Sequence, residues 1–434
     1  MVRRRGDHAD AAGRQPLAGA HRTRSRSRSR RARGRQTSVS AGGSAQQLGR
    51  VGRRNGGGLV TTPRNFAHPA GVHNATPPRI VFGPGSSAHL GAEVDRLGAR
   101  RAMIVTTPGR TTMGDRFATA LGDRCVGLLP EAISQVPVEL VRRGVEKAVA
   151  RGADCLVAVG GGAATGLCKG IAYESGLPIV AVPTTYSGSE MTGYCGMTAD
   201  GVKRMHESLA MRPRTVVYDA ELSVGLPPTA SASSAMNALA HCVDAIYLPS
   251  LSPLLAPAAV EGARIVAHTL PLLLDHPDDV AVRNEMLYGA YLSGAALTGG
   301  FAMQHAIAHM LGGSYGVEHG TAHAVVLPYV TDHLSERAPL ALGRIADAVG
   351  TDDLAGYLWD LNIRAGLPVR LADVGFSVED EDRAVLIATT ADGRPTDPDV
   401  HDAGRAGNPA PVTDDAVRSI LRAAAAGRRP GGSR

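Results

Sequence analysis

The chain has 434 residues, enough for two domains, and its 44% hydrophobic content is ordinary for a soluble globular protein. No stretch reaches the roughly 18 continuous apolar residues of a bilayer-spanning helix, which excludes a membrane-embedded role on this pattern. The formal charge of +6 is uneven: residues 1–75 hold 16 of the 46 Lys+Arg and 2 of the 40 Asp+Glu, a net of +14, and the remainder carries 30 basic and 38 acidic residues, a net of −8. A mildly acidic folded part excludes nucleic acid as its expected partner.

The first 75 residues read as a disordered basic extension. "RTRSRSRSRRARGRQ" is low-complexity and has almost no apolar residue to offset the entropy of folding. It lacks the apolar core of a secretory signal. The five cysteines, Cys125, Cys155, Cys168, Cys195 and Cys242, are odd in number and form no CxxC, which predicts free, mostly buried thiols in a reducing cytoplasm.

Order begins near "PPRIVFGPGSSAHLGAEVDRLG", with a strand over Ile80–Phe82, a Gly-Pro-Gly turn, and Ser86 or Ser87 placed to cap a helix. "RAMIVTTPG" reads as a buried parallel strand ended by a breaker. In "VELVRRGVEKAVARG" the spacing puts Val138, Val141, Val145 and Val149 on one helix face. "DCLVAVGGGAATGLCKGIAYESG" gives strand, glycine turn and helix, and "LPIVAVPTT" another strand. This alternation predicts a parallel α/β sheet, here a dinucleotide-binding domain over residues 76–228.

The turn Gly160-Gly161-Gly162 lets the backbone approach a pyrophosphate and opens onto a helix N-terminus with free N–H groups. It fits a ligand-free βα turn equally well, since it is not the G-x-G-x-x-G fingerprint. "PTTYSGSEMT" supplies Thr184, Thr185 and Ser189 at the carboxyl end of the next strand, where open α/β sheets bind ligands. Thr107, with Thr106, stands where an acidic residue would bond an adenosine 2′-hydroxyl and repel a 2′-phosphate, so NADH or NADPH is expected to be accepted.

From about residue 229 to 434 the pattern becomes an all-helical domain rich in Ala and Leu. His305 and His309 share a helix face at i, i+4, and His319 and His323 repeat the spacing. With His241, four residues after Asn237, they form a cluster suited to chelation or proton transfer. The segment 375–407 reads as polar and irregular.

"VGGGAATGLCKGIA", "VPTTYSGSEMT", "MNALAHCVDAIY" and "HAIAHMLGGSYGVEHGTAHAVVLPY" resemble, in order and spacing, the iron-containing alcohol dehydrogenase family. The likeness covers about residues 78–330, and "NPAPVTDDAVRSILRAA" is similar to the family's last helix. It implies a dehydroquinate synthase-like architecture: a Rossmann-like parallel-sheet α/β N-terminal domain plus an all-α C-terminal domain, a nicotinamide cofactor and a homodimer. Carried over, the family's metal ligands fall on Asn237, His241, His305 and His319, and its extra active-site histidine on His309.

Three departures point to the branch that reduces maleylacetate: Ala163-Ala164-Thr165 after the glycines, "TTYSGSEMT", and Asn237 where the alcohol dehydrogenases carry Asp. A neutral amide binds Fe²⁺ or Zn²⁺ far more weakly than a carboxylate does. The resemblance then implies NAD(P)H-dependent reduction of the C=C of 2-maleylacetate to 3-oxoadipate, in aromatic compound degradation, with no metal required. Its catalytic residues would be His305, His309 and His241. Asn237, His319, Tyr186 and Lys203 or Arg204 would hold the dicarboxylate. A retained metal would sit on His241, His305 and His319. The alternative is a metal-dependent alcohol dehydrogenase.

Overall fold

Runs of apolar and β-branched residues build the sheet. In chain order the first half is β1 (Arg79–Phe82), α1 (Leu90–Arg96), β2 (Ala102–Val105), α2 (Thr111–Leu121), β3 (Cys125–Leu129), α3 (Val138–Ala150), β4 (Cys155–Gly160), α4 (Gly162–Ser175), β5 (Ile179–Pro183), a hairpin of β6 (Tyr194–Ala199) and β7 (Val202–Glu207), and β8 (Thr215–Tyr218). The computed structural model describes residues 78–199, 202–390 and 408–431. These all lie in the second of two compact units, His68–Arg434. The expected basic extension falls outside the described residues.

The six strands pair in parallel in the order β1-β8-β5-β4-β2-β3. β2, β4, β5 and β8 are buried at every residue, which is why they read as unbroken apolar runs. From β2 the chain moves out to the edge strand β3 and then returns to β4 on the other side of β2. That reversal opens a crevice at the carboxyl ends of β2 and β4, the usual ligand position in such sheets.

The second half is helical: α5 (Pro228–Ala245), α6 (Ala256–Asp275), α7 (Val280–Leu297), α8 (Met303–Tyr315), α9 (His319–Ser335), α10 (Pro339–Val349), α11 (Leu354–Arg364), α12 (Glu381–Thr390) and α13 (Asp414–Ala426). From Ser231 to Ala245 every residue of α5 but Ser234 is buried, so its Ala- and Ser-rich sequence is that of a central helix packed by α6, α7 and α9. One apolar cluster runs from one face of the sheet into this bundle, and a smaller one covers the opposite face. Four of the five cysteines are buried and all are free, as expected. None of the described helices is long and apolar enough to cross a membrane.

Three local expectations change. Ser86 and Ser87 cap nothing. The Asp219 carboxylate instead accepts from the Gly85 and Ser87 N–H groups at 2.9 and 3.0 Å, and the Ser86 hydroxyl donates to the Tyr218 carbonyl. In α3 the buried face is Leu140, Val141, Gly144 and Ala148, with Val149 72% exposed. The helix is turned because Gly144, lacking a side chain, admits Ile171 of α4. The stretch expected to be irregular is helical over Val378–Thr390 and lies outside the described residues over 391–407.

The two halves meet backbone to backbone at Gly188 and Gly294. A Cβ on Gly294 would lie 2.5 Å from the Gly188 carbonyl oxygen, and Gly188 itself has φ +70°. This contact seats the Ser187–Met191 loop against α7. Gly294→Ala is therefore expected to lower stability by about 1–3 kcal/mol, the range for overpacking. Urea unfolding measures it, and a change within error would mean that the approach is soft.

Candidate functional site

Three helices and one loop bring the histidines together. α5 carries Asn237, His241 and Asp244 on one face, α8 carries His305 and His309, and the first turn and a half of α9 carries His319 and His323. The His241 and His305 rings stack at 5.3 Å and 17°. His305 meets His323 edge-on at 4.6 Å, His323 meets His319 at 4.7 Å, and His319 stacks on His309 at 5.6 Å. Phe301 lies against His305 and His309. Asn237, His241, His305 and His323 are buried, whereas His309 and His319 are partly open, so the cluster has an interior and a mouth.

Asp244 orders this cluster. It is fully buried, and its carboxylate accepts the Ala302 N–H at 2.6 Å and His305 Nδ1 at 2.7 Å. It also takes the Gln304 and His305 backbone N–H groups at 3.4 Å and the Tyr247 hydroxyl. It thus caps α8 from α5 and fixes the His305 ring. A carboxylate only accepts, so Nδ1 of His305 bears a proton and Nε2 faces the cluster. Nε2 is buried with no partner among the described residues.

His323 is set the other way. The Gln304 amide nitrogen donates to the His323 carbonyl at 3.1 Å and lies 3.3 Å from His323 Nδ1. The carbonyl fixes the amide's orientation, so Nδ1 accepts and a neutral His323 carries its proton on Nε2. That nitrogen too is buried without a partner among the described residues. Burial, and then neighbouring positive charge, holds His241, His309, His319 and His323 well below the usual imidazole pKa. Those four are neutral near pH 7.

The glycine turn closes β4 against α4. Gly160 has φ +147°, open only to glycine, and a Cβ on Gly161 would lie 2.8 Å from Thr185 Oγ1 and Cγ2. No side chain caps the N-terminus of α4, which leaves its N–H groups free beside the crevice. Thr107 is half-buried at the end of β2, and the buried Thr106 and Ser187 hydroxyls have no partner among the described residues. Thr184 is buried, and Ser189 Oγ lies 3.2 Å from Lys169 Nζ. These residues fit a dinucleotide.

They fit a tightly held dication less well. The Asn237 amide donates to the Ser187 carbonyl at 3.3 Å, and its carbonyl adds no charge to the donor set. Among the described residues, the histidines whose nitrogens all lie within 4.8 Å of one another are His309, His319 and His323. Only His319 of the expected trio His241, His305 and His319 belongs to that group. His323, with its proton on Nε2, is set as a donor rather than a ligand. The charge of Lys203 also acts on His309 and His319.

Tyr186 corrects an expectation. Its hydroxyl accepts from Arg283 Nη1 at 2.9 Å, and both side chains are fully buried, so Tyr186 belongs to the core and not to a substrate surface. Sequence reasoning gave no role to Asp244, Gln304, Phe301 or Lys169, and placed His323 only in the histidine cluster. Lys169 is fully buried and donates to the Ser189 and Tyr194 carbonyls and to the Ser189 and Thr192 hydroxyls at 2.6–3.2 Å, pinning the 184–194 loop. Burial lowers its pKa to about 8. Asp244 did leave a signal, lying three residues after His241 and seven after Asn237 on one face of α5.

Comparison with known proteins places the chain in a family. The iron-containing alcohol dehydrogenase family model matches residues 77–220, and the model of that family's C-terminal part matches residues 231–425. The chain is 41% identical over 354 residues to a maleylacetate reductase of Burkholderia cepacia, spanning 81% of this chain and 97% of that protein. The crystal structure of maleylacetate reductase from a Rhizobium strain superposes with a TM-score of 0.75 at 38% identity, covering 83% of this chain and 99% of that one. An iron-containing alcohol dehydrogenase of Corynebacterium glutamicum superposes with a TM-score of 0.74 at 36% identity, covering 82% and 96%. The chain belongs to the iron-containing alcohol dehydrogenase family.

Proposed function

We propose that this enzyme reduces the carbon–carbon double bond of 2-maleylacetate with NADH or NADPH, giving 3-oxoadipate, and that it does so without a metal. The observation that carries the reading is Asn237 at the position of the family's acidic ligand, beside histidines held as donors and acceptors. The likeness to maleylacetate reductases over nearly their whole length supports the substrate.

The nicotinamide, when bound, supplies a hydride to the alkene carbon β to the ketone. The chain's residues manage the charge that follows. The alkene electron pair shifts toward the ketone and makes an enolate, which hydrogen-bond donors can hold. His323 offers Nε2–H in its neutral form. His305 takes the proton-transfer role, because Asp244 at 2.7 Å compensates a positive imidazole. A proton leaving Nε2 of that imidazolium for the enolate carbon completes the addition of hydride and proton across the former double bond. His241 stacks on His305 and limits its movement. His309 and His319, at the mouth, face the incoming dicarboxylate.

Purified enzyme should oxidise NADH and NADPH when 2-maleylacetate is added, with 3-oxoadipate as the product by mass spectrometry. No turnover with either cofactor, or activity confined to simple alcohols, would contradict the reading. His305→Ala should lower kcat by about 10² or more, the scale of positioned acid–base groups. A change under about threefold in steady-state rates would remove His305 from proton transfer.

A further inference from the structure

Resting on that reading of the substrate, we propose that Lys203 is the anchor for one of its two carboxylates and makes the pocket selective for dianions. The sequence offers Lys203 or Arg204 for the dicarboxylate, and Lys203 lies on the hairpin, opposite Thr198. It is partly buried, whereas Arg204 is exposed. The lysine side chain lies in a slot with Gly196 of β6 on one side and Gly313 of α8 on the other.

Both walls are glycine, and a side chain on either would press on the lysine stem. A Cβ on Gly196 would overlap Lys203 Cε, and one on Gly313 would lie 3.1 Å from Lys203 Cβ. Gly313 is one helical turn after His309, so the slot leads the stem toward the histidines. Of the charges bearing on His309 and on His319, that of Lys203 is the largest. Nζ has no hydrogen bond or ion pair with any described residue. Lys169 makes the contrast, since its four acceptors use up its ammonium inside the protein.

A cation held in a glycine slot beside imidazoles, with no carboxylate among the described residues to answer it, is arranged for an anion that arrives from outside. A carboxylate fits, because a charge-assisted hydrogen bond in a partly desolvated site is stronger than a neutral one. Burial lowers the lysine to about 8, which leaves most of it charged near pH 7. The neighbouring Arg204 is exposed, as strand alternation requires, and does not share the slot.

The test measures binding and turnover separately. Affinity for adipate, an unreactive six-carbon dicarboxylate, is measured by calorimetry, and NADH affinity by fluorescence. Lys203→Met should weaken adipate binding and raise KM for maleylacetate by about tenfold or more, with NADH affinity unchanged. Gly196→Ala, which fills the slot but leaves the charge, should cause a loss in the same direction. Lys203→Arg should recover part of it. Adipate binding unchanged in Lys203→Met, or a loss confined to NADH, would overturn the inference. If Lys203→Met does not fold, Gly196→Ala and Lys203→Arg decide it by the same two affinities. A wild-type enzyme that binds adipate but does not reduce maleylacetate would instead contradict the proposed substrate while leaving the anchor standing.

Discussion

A single buried carboxylate organises the site. Asp244 is on the central helix α5, yet its acceptors serve the first turn of α8 and the ring of His305. An anion without water is costly unless donors surround it, and here backbone N–H groups, an imidazole and a phenol do so. The positive end of the α8 dipole adds to the same end. Because that carboxylate ties two helices and one ring together, the direction of His305 Nε2 is set by packing before any ligand arrives. The other histidines then take their places around it through ring contacts.

The electrostatics of the pocket follow from that arrangement. Among the described residues, the carboxylate bonded to the cluster is Asp244, which stands behind His305, and Asn237 contributes only a dipole. The two lysines whose charge reaches the histidines, Lys169 and Lys203, differ in what they do with it. Lys169 spends its charge holding the loop, and Lys203 leaves its own unanswered. Neutral imidazoles facing an ammonium with no partner among the described residues favour a dianion over a dication.

Much of this was legible in the sequence. The buried parallel strands announce themselves as unbroken apolar runs because both faces of the sheet are covered. The glycine turn and the paired histidines sit at spacings that only a strand–turn–helix and a helix face explain. Other features left little trace, because they depend on contacts between distant segments. Gln304 and His323 are 19 residues apart, and nothing local fixes their tautomer. Tyr186 looked like a pocket residue because its loop is one, but its hydroxyl turns inward to Arg283, almost a hundred residues away. Lys203 was legible as a candidate for the dicarboxylate but not as a partly buried one, since its slot is cut by glycines on two separate elements. The valine stripe of α3 misled for a similar reason: a glycine, not a valine, marks where α4 comes closest.

Whether the chemistry needs a metal decides what Asn237 does in this pocket. The most direct measurement is the rate of maleylacetate reduction by enzyme dialysed against EDTA, with bound metal quantified in the same sample by mass spectrometry. The account predicts full turnover at negligible metal content, and no gain when Fe²⁺ or Zn²⁺ is restored. Turnover that vanishes with the metal and returns with it would contradict the account and give the alcohol dehydrogenase type of Lewis-acid chemistry to this pocket.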